Sequence, residues 1–414
     1  MDDRGRVLSF PQAPDAVELR HLRAFVAVAE ELNFGRAAAR LYVSQPAFSR
    51  QIRSLERLVG CELLRRSTHR VELTLAGEAL LDRARGILRD VDDAVSATQS
   101  VGGELASRVA RMYQPLVDLT SGDSDLEQMR AAYEALHAEF APPPELQVAP
   151  VNAGGVHALS LTTEAGRPTT ILYLHGGGYV LGSAFGYRPL AGALAAAAGT
   201  GVLAPEYRLA PEHRFPAAVD DALRAYEWLL ERGTPPDRVT LAGDSTGGGL
   251  AMAVLVAAKQ RGVPLPGGAV LMCPAVDLSF GLLEAQADDP QAAMLITIGR
   301  WCVDAYLGGA SLDDPLVSPL LADLEGLPPL LVQGATGDHQ RHDANALVDC
   351  ARSQGVDARL ELYPVDTHVF QFFWSFLPEA AVAVERAGAF ASEIAEGNGL
   401  IARRADGPTS GTKA

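Results

Sequence analysis

Cysteine is scarce in this 414-residue chain: Cys61, Cys273, Cys302 and Cys350 stand far apart with no C-x-x-C pair. That spacing excludes a disulfide framework and the usual zinc sites. No apolar run reaches the roughly 18 residues that read as a membrane-spanning helix, so no membrane partner is expected. No secretory leader is expected either. Asp2 and Asp3 stand where a basic region would precede an apolar stretch, so a cytoplasmic address is expected. Nucleotide- and metal-binding motifs are missing as well, and neither a cofactor nor a metal is expected. Positive charge is in deficit: a net charge of −16 argues against nucleic-acid binding by the chain as a whole.

What is present is unevenly spread. Residues 21–70 hold nine Arg against four Glu, with no Asp or Lys, giving a net +5 and leaving −21 for the remainder. Such asymmetry fits a small anion-binding module joined to an acidic globular domain. At 414 residues two or more domains are the natural expectation.

The basic part has a helical pattern. Leu19, Leu22, Phe25, Val26, Ala29 and Leu32 recur at helical spacing over residues 18–32. A break at Asn33–Gly35 leads to a second helix over 36–43. Ser44 stands at an N-cap position, and Gln45 and Pro46 open a third helix running to Leu58. Two helices around a tight turn make a helix-turn-helix. The third helix offers Gln45, Pro46, Ser49, Arg50 and Arg53 to base edges or phosphates of double-stranded DNA. Two strand-like pieces around a basic tip follow over Leu63–Leu73, with Arg66 among the candidate contacts.

From about residue 168 the pattern changes to short apolar runs alternating with helical stretches. The runs are Thr170–Leu174, Val202–Ala204, Val239–Ala242, Ala269–Cys273, Leu330–Gln333 and Arg359–Tyr363; the helices include Pro216–Leu230, Thr246–Arg261 and Ala344–Gln354. That order predicts an α/β fold with a mostly parallel sheet covered on both faces. Active sites in such sheets collect at the carboxyl ends of the strands.

Chemistry is concentrated in two glycine-rich segments. Ser245 sits in a Gly-x-Ser-x-Gly frame between Gly243-Asp244 and Thr246-Gly247, directly after a strand, and His175-Gly176-Gly177-Gly178 follows an earlier strand. A strand-turn-helix serine of this kind is the nucleophile elbow of α/β-hydrolases. Its hydroxyl needs a base, a group that orients the base, and donors for an oxyanion. Backbone N–H groups of Gly176, Gly177 and Thr246 are the candidate donors. In the α/β-hydrolase order Ser, acid, His, only His339, His342 and His368 follow Ser245. His368, just past the last strand run, is the candidate base. Asp338 is the candidate acid, with Asp343 and Asp366 as alternatives.

Two resemblances follow from longer strings. "ELRHLRAFVAVAEELNFGRAAARLYVSQPAFSRQIRSLERLVGCELLRRSTHRVELTLAGEALL" resembles the winged helix-turn-helix of LysR-type transcriptional regulators over roughly residues 18 to 82. The likeness implies a linker helix over 77–104, with Leu80, Leu81, Ala84, Ile87 and Leu88 as its apolar stripe, pairing two subunits into a homodimer. It stops before the effector domain such regulators carry.

"LYLHGGGYVLGS", "PEYRLAPEHRFPAAVDDALRAYEWL", "LAGDSTGGGLA", "DDPLVSPLLADLEGLPPLLVQ" and "YPVDTHVF" resemble the hormone-sensitive-lipase-like carboxylesterases, over about residues 125–395. This implies an α/β-hydrolase with a helical cap, formed near Leu126–Phe140 and by an insertion near 282–307. It also implies a structural pair of Arg208 and Glu212, and short to medium acyl esters as substrates. The sequence departs from that group at Thr246, where Ala is usual, at His339-Gln340 after the acid, and at Val365, where Gly is usual.

The expected organisation is a winged helix-turn-helix over 18–76, the linker helix, cap helix and lead-in strands over 105–168, a catalytic domain over 169–396 and a disordered tail over 397–414. Two functions compete. One is a serine carboxylesterase carrying a DNA-binding module; the other is an ester-responsive regulator that uses the hydrolase domain as its sensor. A third has the module as a fusion without a regulatory role.

Overall fold

Apolar residues at helical spacing along Leu19–Glu31 form α1 and bury Leu22, Phe25 and Val28. The chain turns at Leu32 in the left-handed conformation. The Asn33 side chain then accepts from Arg36 N at 3.0 Å and caps α2, Phe34–Arg40. The break expected at Asn33–Gly35 therefore shrinks to one capping residue, with Gly35 inside the helix. Helix α3 spans Gln45–Val59 and packs Phe48, Ile52 and Leu55 against α1. Ser44 holds the N-cap position by its backbone, since its side chain makes no cap bond. A two-stranded antiparallel ribbon follows, β1 (Leu64–Arg66) and β2 (Val71–Leu73), with Leu64 opposite Leu73.

The chain is helical again at 75–81 and 83–88, here α4. The computed structural model describes residues 17–41, 43–66, 71–81, 83–88, 108–109, 112, 125–164, 168–281 and 290–397. The wing tip, the rest of the expected linker helix, residues 282–289 of the insertion and the tail beyond Gly397 lie outside the described residues. Within α4, Leu80, Leu81, Ala84 and Leu88 pack on the helix-turn-helix core, whereas Leu75 and Ile87 are exposed. Most of the stripe expected to face a partner thus serves its own unit.

The chain divides into two units, Met1–Arg108 and Val109–Ala414. The second carries an eight-stranded sheet, β3 (Gln147–Ala153), β4 (Val156–Thr162), β5 (Thr169–Leu174), β6 (Gly201–Pro205), β7 (Thr240–Asp244), β8 (Gly268–Met272), β9 (Leu330–Ala335) and β10 (Ala358–Tyr363). Their order is β10-β9-β8-β7-β5-β6-β4-β3. The six expected strands are the parallel ones, and β3 and β4 add an antiparallel edge. Helix α5 is Leu126–Ala138. On one face lie α7 (Ala217–Glu231), α8 (Thr246–Arg261) and α10 (Arg341–Ser353); on the other lie α6 (Arg188–Ala198) and α11 (Pro378–Ala395). Helix α9, Pro290–Leu307, occupies the described part of the expected insertion.

Order in this sheet reverses at β5, whose two neighbours are β6 and β7. A crevice opens outside the carboxyl ends of strands at such a reversal. The His175 segment leaves β5 there, and Ser245 leaves β7 beside it.

Candidate active site

Ser245 sits at φ 51°, ψ −125°, a conformation that L-residues avoid. Backbone bonds on both sides hold it: its N–H donates to Met272 O at 2.9 Å, and its carbonyl accepts from Ala275 N at 2.9 Å and Gly248 N at 3.0 Å. The turn is tight because the flanking residues carry no side chain. A Cβ on Gly243 would collide with Gly247 O, and one on Gly247 with Leu174 O.

Ser245, His368 and Asp338 meet. Ser245 Oγ lies 2.9 Å from His368 Nε2, and His368 Nδ1 lies 2.7 Å from Asp338 Oδ2. Asp338 is buried, and its other oxygen accepts from Gln340 N at 2.9 Å. The loops bearing the two residues are joined by Gly337 N donating to the backbone carbonyl of Val365 at 2.9 Å, a bond that does not depend on the side chain at 365. Burial opposes a charged His368, but the Asp338 carboxylate outweighs it and raises the imidazole pKa above the ordinary value. Burial likewise opposes an ionised Asp338, yet His368 and the Gln340 N–H hold its pKa below the carboxylate norm.

The alternative acids are placed elsewhere. Asp343 is buried and accepts from Val276 N at 2.9 Å and Asp277 N at 3.1 Å, bracing the loop after β8. Burial pushes its pKa up to about 7. Asp366 is exposed. His339 and His342 lie on the approach to α10 and in its first turn, while His368 holds the bond to Ser245.

The oxyanion donors need one correction. Gly176 N donates at 3.1 Å to Oδ1 of the buried Asp244, so the structure gives this candidate donor another partner. Gly177 holds φ 109°, which favours glycine, and Thr246 N opens α8, where N–H groups have no intrahelical partner. Gly178 N donates at 2.9 Å to Thr246 Oγ1.

Asp244 proves to be a strut. Besides Gly176 N, it accepts from Tyr173 OH at 2.7 Å and Tyr187 OH at 3.2 Å. Burial raises its pKa to about 6. His175 is likewise structural: its Nδ1 lies 2.8 Å from Gly176 O, and its ring stacks on Tyr207 at 4.3 Å. Burial lowers its pKa to about 4.

Arg130 of α5 went unread in the sequence. It donates to Val180 O at 2.9 Å, to Ala210 O at 2.9 Å and to both oxygens of Glu212, tying the first cap helix over the His175 segment. No local pattern marks it, because its partners lie 50 to 82 residues away. The expected Arg208–Glu212 pair is therefore divided: Glu212 pairs with Arg130, and Arg208 with Asp221 at 2.8 Å. Cys273 Sγ, Asp338 and His368 fall within 4.8 Å of one another, a set with metal-ligand chemistry. Burial holds the thiol protonated, and Asp338 and His368 already bond each other.

In the first unit, Gln45, Pro46, Arg50 and Arg53 are exposed and Ser49 is half-buried, all on α3. Arg36, Arg40 and Arg85 are ion-paired with Glu30 and Glu31, whereas Arg50 and Arg53 make no ion pair with described residues. Arg66 closes β1. Among the described residues no helix is long and apolar enough to cross a membrane.

Sheet order, elbow and glycine loop together define an α/β-hydrolase. Residues 171–372 match the family described as alpha/beta hydrolase fold, and residues 19–78 match the bacterial regulatory helix-turn-helix proteins of the lysR family. The second unit is similar to an acetyl-hydrolase of Streptomyces hygroscopicus, 40% identical over 72% of this chain and 100% of that protein. It is similar to an esterase of Acinetobacter venetianus, 31% identical over 64% of this chain and 88% of the relative. A crystal structure of an esterase from the bacterial hormone-sensitive lipase family superposes with a TM-score of 0.63 at 38% identity, covering 69% of this chain and 97% of its own. EstE5, in a crystal soaked with p-nitrophenyl butyrate, superposes at 0.61 with 35% identity, covering 68% and 99%. The chain belongs to the hormone-sensitive-lipase-like esterases of the α/β-hydrolase fold, with a lysR-family helix-turn-helix ahead of it.

Proposed function

We propose that the chain is a serine carboxylesterase for short to medium acyl esters, acting through Ser245, His368 and Asp338. The continuous hydrogen-bond line from Ser245 Oγ through His368 to Asp338 carries this reading. Ser245 Oγ bonds to the ester carbonyl carbon as its proton passes to His368 Nε2, and the carbonyl π pair moves to oxygen. The N–H groups of Gly177 and Thr246 receive that oxyanion. Collapse breaks the ester C–O bond, and the departing alkoxide takes the proton from His368. Water then repeats the sequence on the acyl-serine, releasing acid and Ser245. Asp338 holds the imidazole tautomer that makes Nε2 the base. The first unit adds DNA binding through α3, in a homodimer reading two half-sites from the cytoplasm.

Hydrolysis of p-nitrophenyl butyrate by the purified chain tests the reading. Ser245→Ala is expected to reduce kcat by on the order of 10⁴ or more. Undiminished turnover in that variant would remove Ser245 from the mechanism.

A further inference from the structure

The side chain of Thr246 has no part in the chemistry above, yet its hydroxyl stands in the middle of it. Thr246 follows the nucleophile directly and is almost fully buried. Its Oγ1 accepts from Gly178 N at 2.9 Å. Gly178 is the last residue of the loop whose preceding residue, Gly177, is assigned an oxyanion donor. An oxygen that accepts from this N–H, one residue from the assigned donor of Gly177, takes a bond that an oxyanion held by the same loop would draw on. The loop has little freedom to turn Gly178 away. Gly177 O accepts from Val180 N at 3.1 Å and Leu181 N at 2.8 Å, and a Cβ on Gly178 would lie 2.7 Å from Cys302 Sγ of α9.

Resting on the esterase reading, we propose that the Thr246 hydroxyl is a built-in competitor for the oxyanion hole. It occupies the Gly178 N–H in the free enzyme and must rotate away before the tetrahedral intermediate receives its third donor. Only interactions stronger in the transition state than in the ground state raise kcat, and a donor already engaged gives up one bond to form another. A hydroxyl withheld from water needs a partner, so rotation also leaves its oxygen to find another donor. Alanine at this position has no such oxygen, and the donor is then open at all times. The device slows turnover while leaving ester binding intact.

The test compares Thr246→Ala, Thr246→Ser and Thr246→Val in the full chain. It measures kcat and KM for p-nitrophenyl butyrate, the inhibition constant of a trifluoromethyl ketone, which forms an oxyanion adduct on serine, and thermal unfolding. Removing one net hydrogen bond of competition is worth roughly two- to tenfold. Thr246→Ala is expected to raise kcat by about that factor and to tighten ketone binding in parallel, with KM nearly unchanged. Thr246→Ser keeps the hydroxyl and is expected to lack the gains in kcat and ketone affinity of the alanine variant. Thr246→Val preserves the bulk, so it carries the comparison if the alanine variant unfolds. A fall in kcat in both hydroxyl-free variants would make the hydroxyl an oxyanion donor and overturn the proposal, and so would unchanged kcat with unchanged ketone affinity. Failure of the ketone to form an adduct on Ser245 in any variant, parent included, would instead sink the esterase reading beneath it.

Discussion

His368 is held between two opposed influences, and their balance has a measurable sign. Burial works against its imidazolium, but the carboxylate of Asp338 at 2.7 Å prevails and raises the pKa. A general base must be neutral, so kcat/KM is expected to climb with pH through a midpoint above the unperturbed histidine value of about 6.5. Asp338→Asn removes the charge that raises it. That variant is expected to lose on the order of 10³ to 10⁴ in kcat, as in other triads, and to shift the midpoint toward acid. A pH–rate profile of both proteins checks this, and a midpoint that stays put would separate Asp338 from the base. Stability carries the same linkage: the contribution of the His368–Asp338 pair through histidine is full below the unfolded pKa of His368. It is lost as pH rises through the higher folded value.

Helices and strands with strong local patterns were the readable part of the chain. The six parallel strands fall where short apolar runs stand, and α8 starts at Thr246, as its sequence expects. Ser245 and His368 could be singled out because a strand-turn-helix glycine frame and chain order restrict the choice, and they lie 2.9 Å apart. What escaped was decided by contacts distant in sequence. Gly176 was expected to face the oxyanion, but the buried Asp244 takes its N–H, a bond between residues 68 apart that no motif records. Arg208 and Glu212 sit close together in one segment, yet each meets a carboxylate or guanidinium from another helix. The apolar stripe of α4 looked like a subunit seam, since periodicity reports that a face is covered and is silent about what covers it. Leu80, Leu81, Ala84 and Leu88 turn inward to their own three-helix core.

The whole molecule joins a basic segment, net +5 over residues 21–70, to an acidic remainder. The DNA site proposed on α3 would have to act despite a net charge of −16, so its grip would depend on local cations such as Arg50 and Arg53. Each phosphate neutralised contributes about −0.9 to the slope of log K against log salt. Affinity for double-stranded DNA is therefore expected to fall steeply with salt in a polarisation titration, and Arg50→Ala with Arg53→Ala is expected to flatten the slope. A slope unchanged by both substitutions would place the contacts elsewhere. The central claim is that one serine of this chain is an acyl acceptor, and it is tested most directly by locating a covalent adduct. After treating the intact protein with a fluorophosphonate, peptide mass spectrometry is expected to find a single modified serine, Ser245, with no adduct in Ser245→Ala. An adduct on another residue, or one that persists in that variant, would contradict the account.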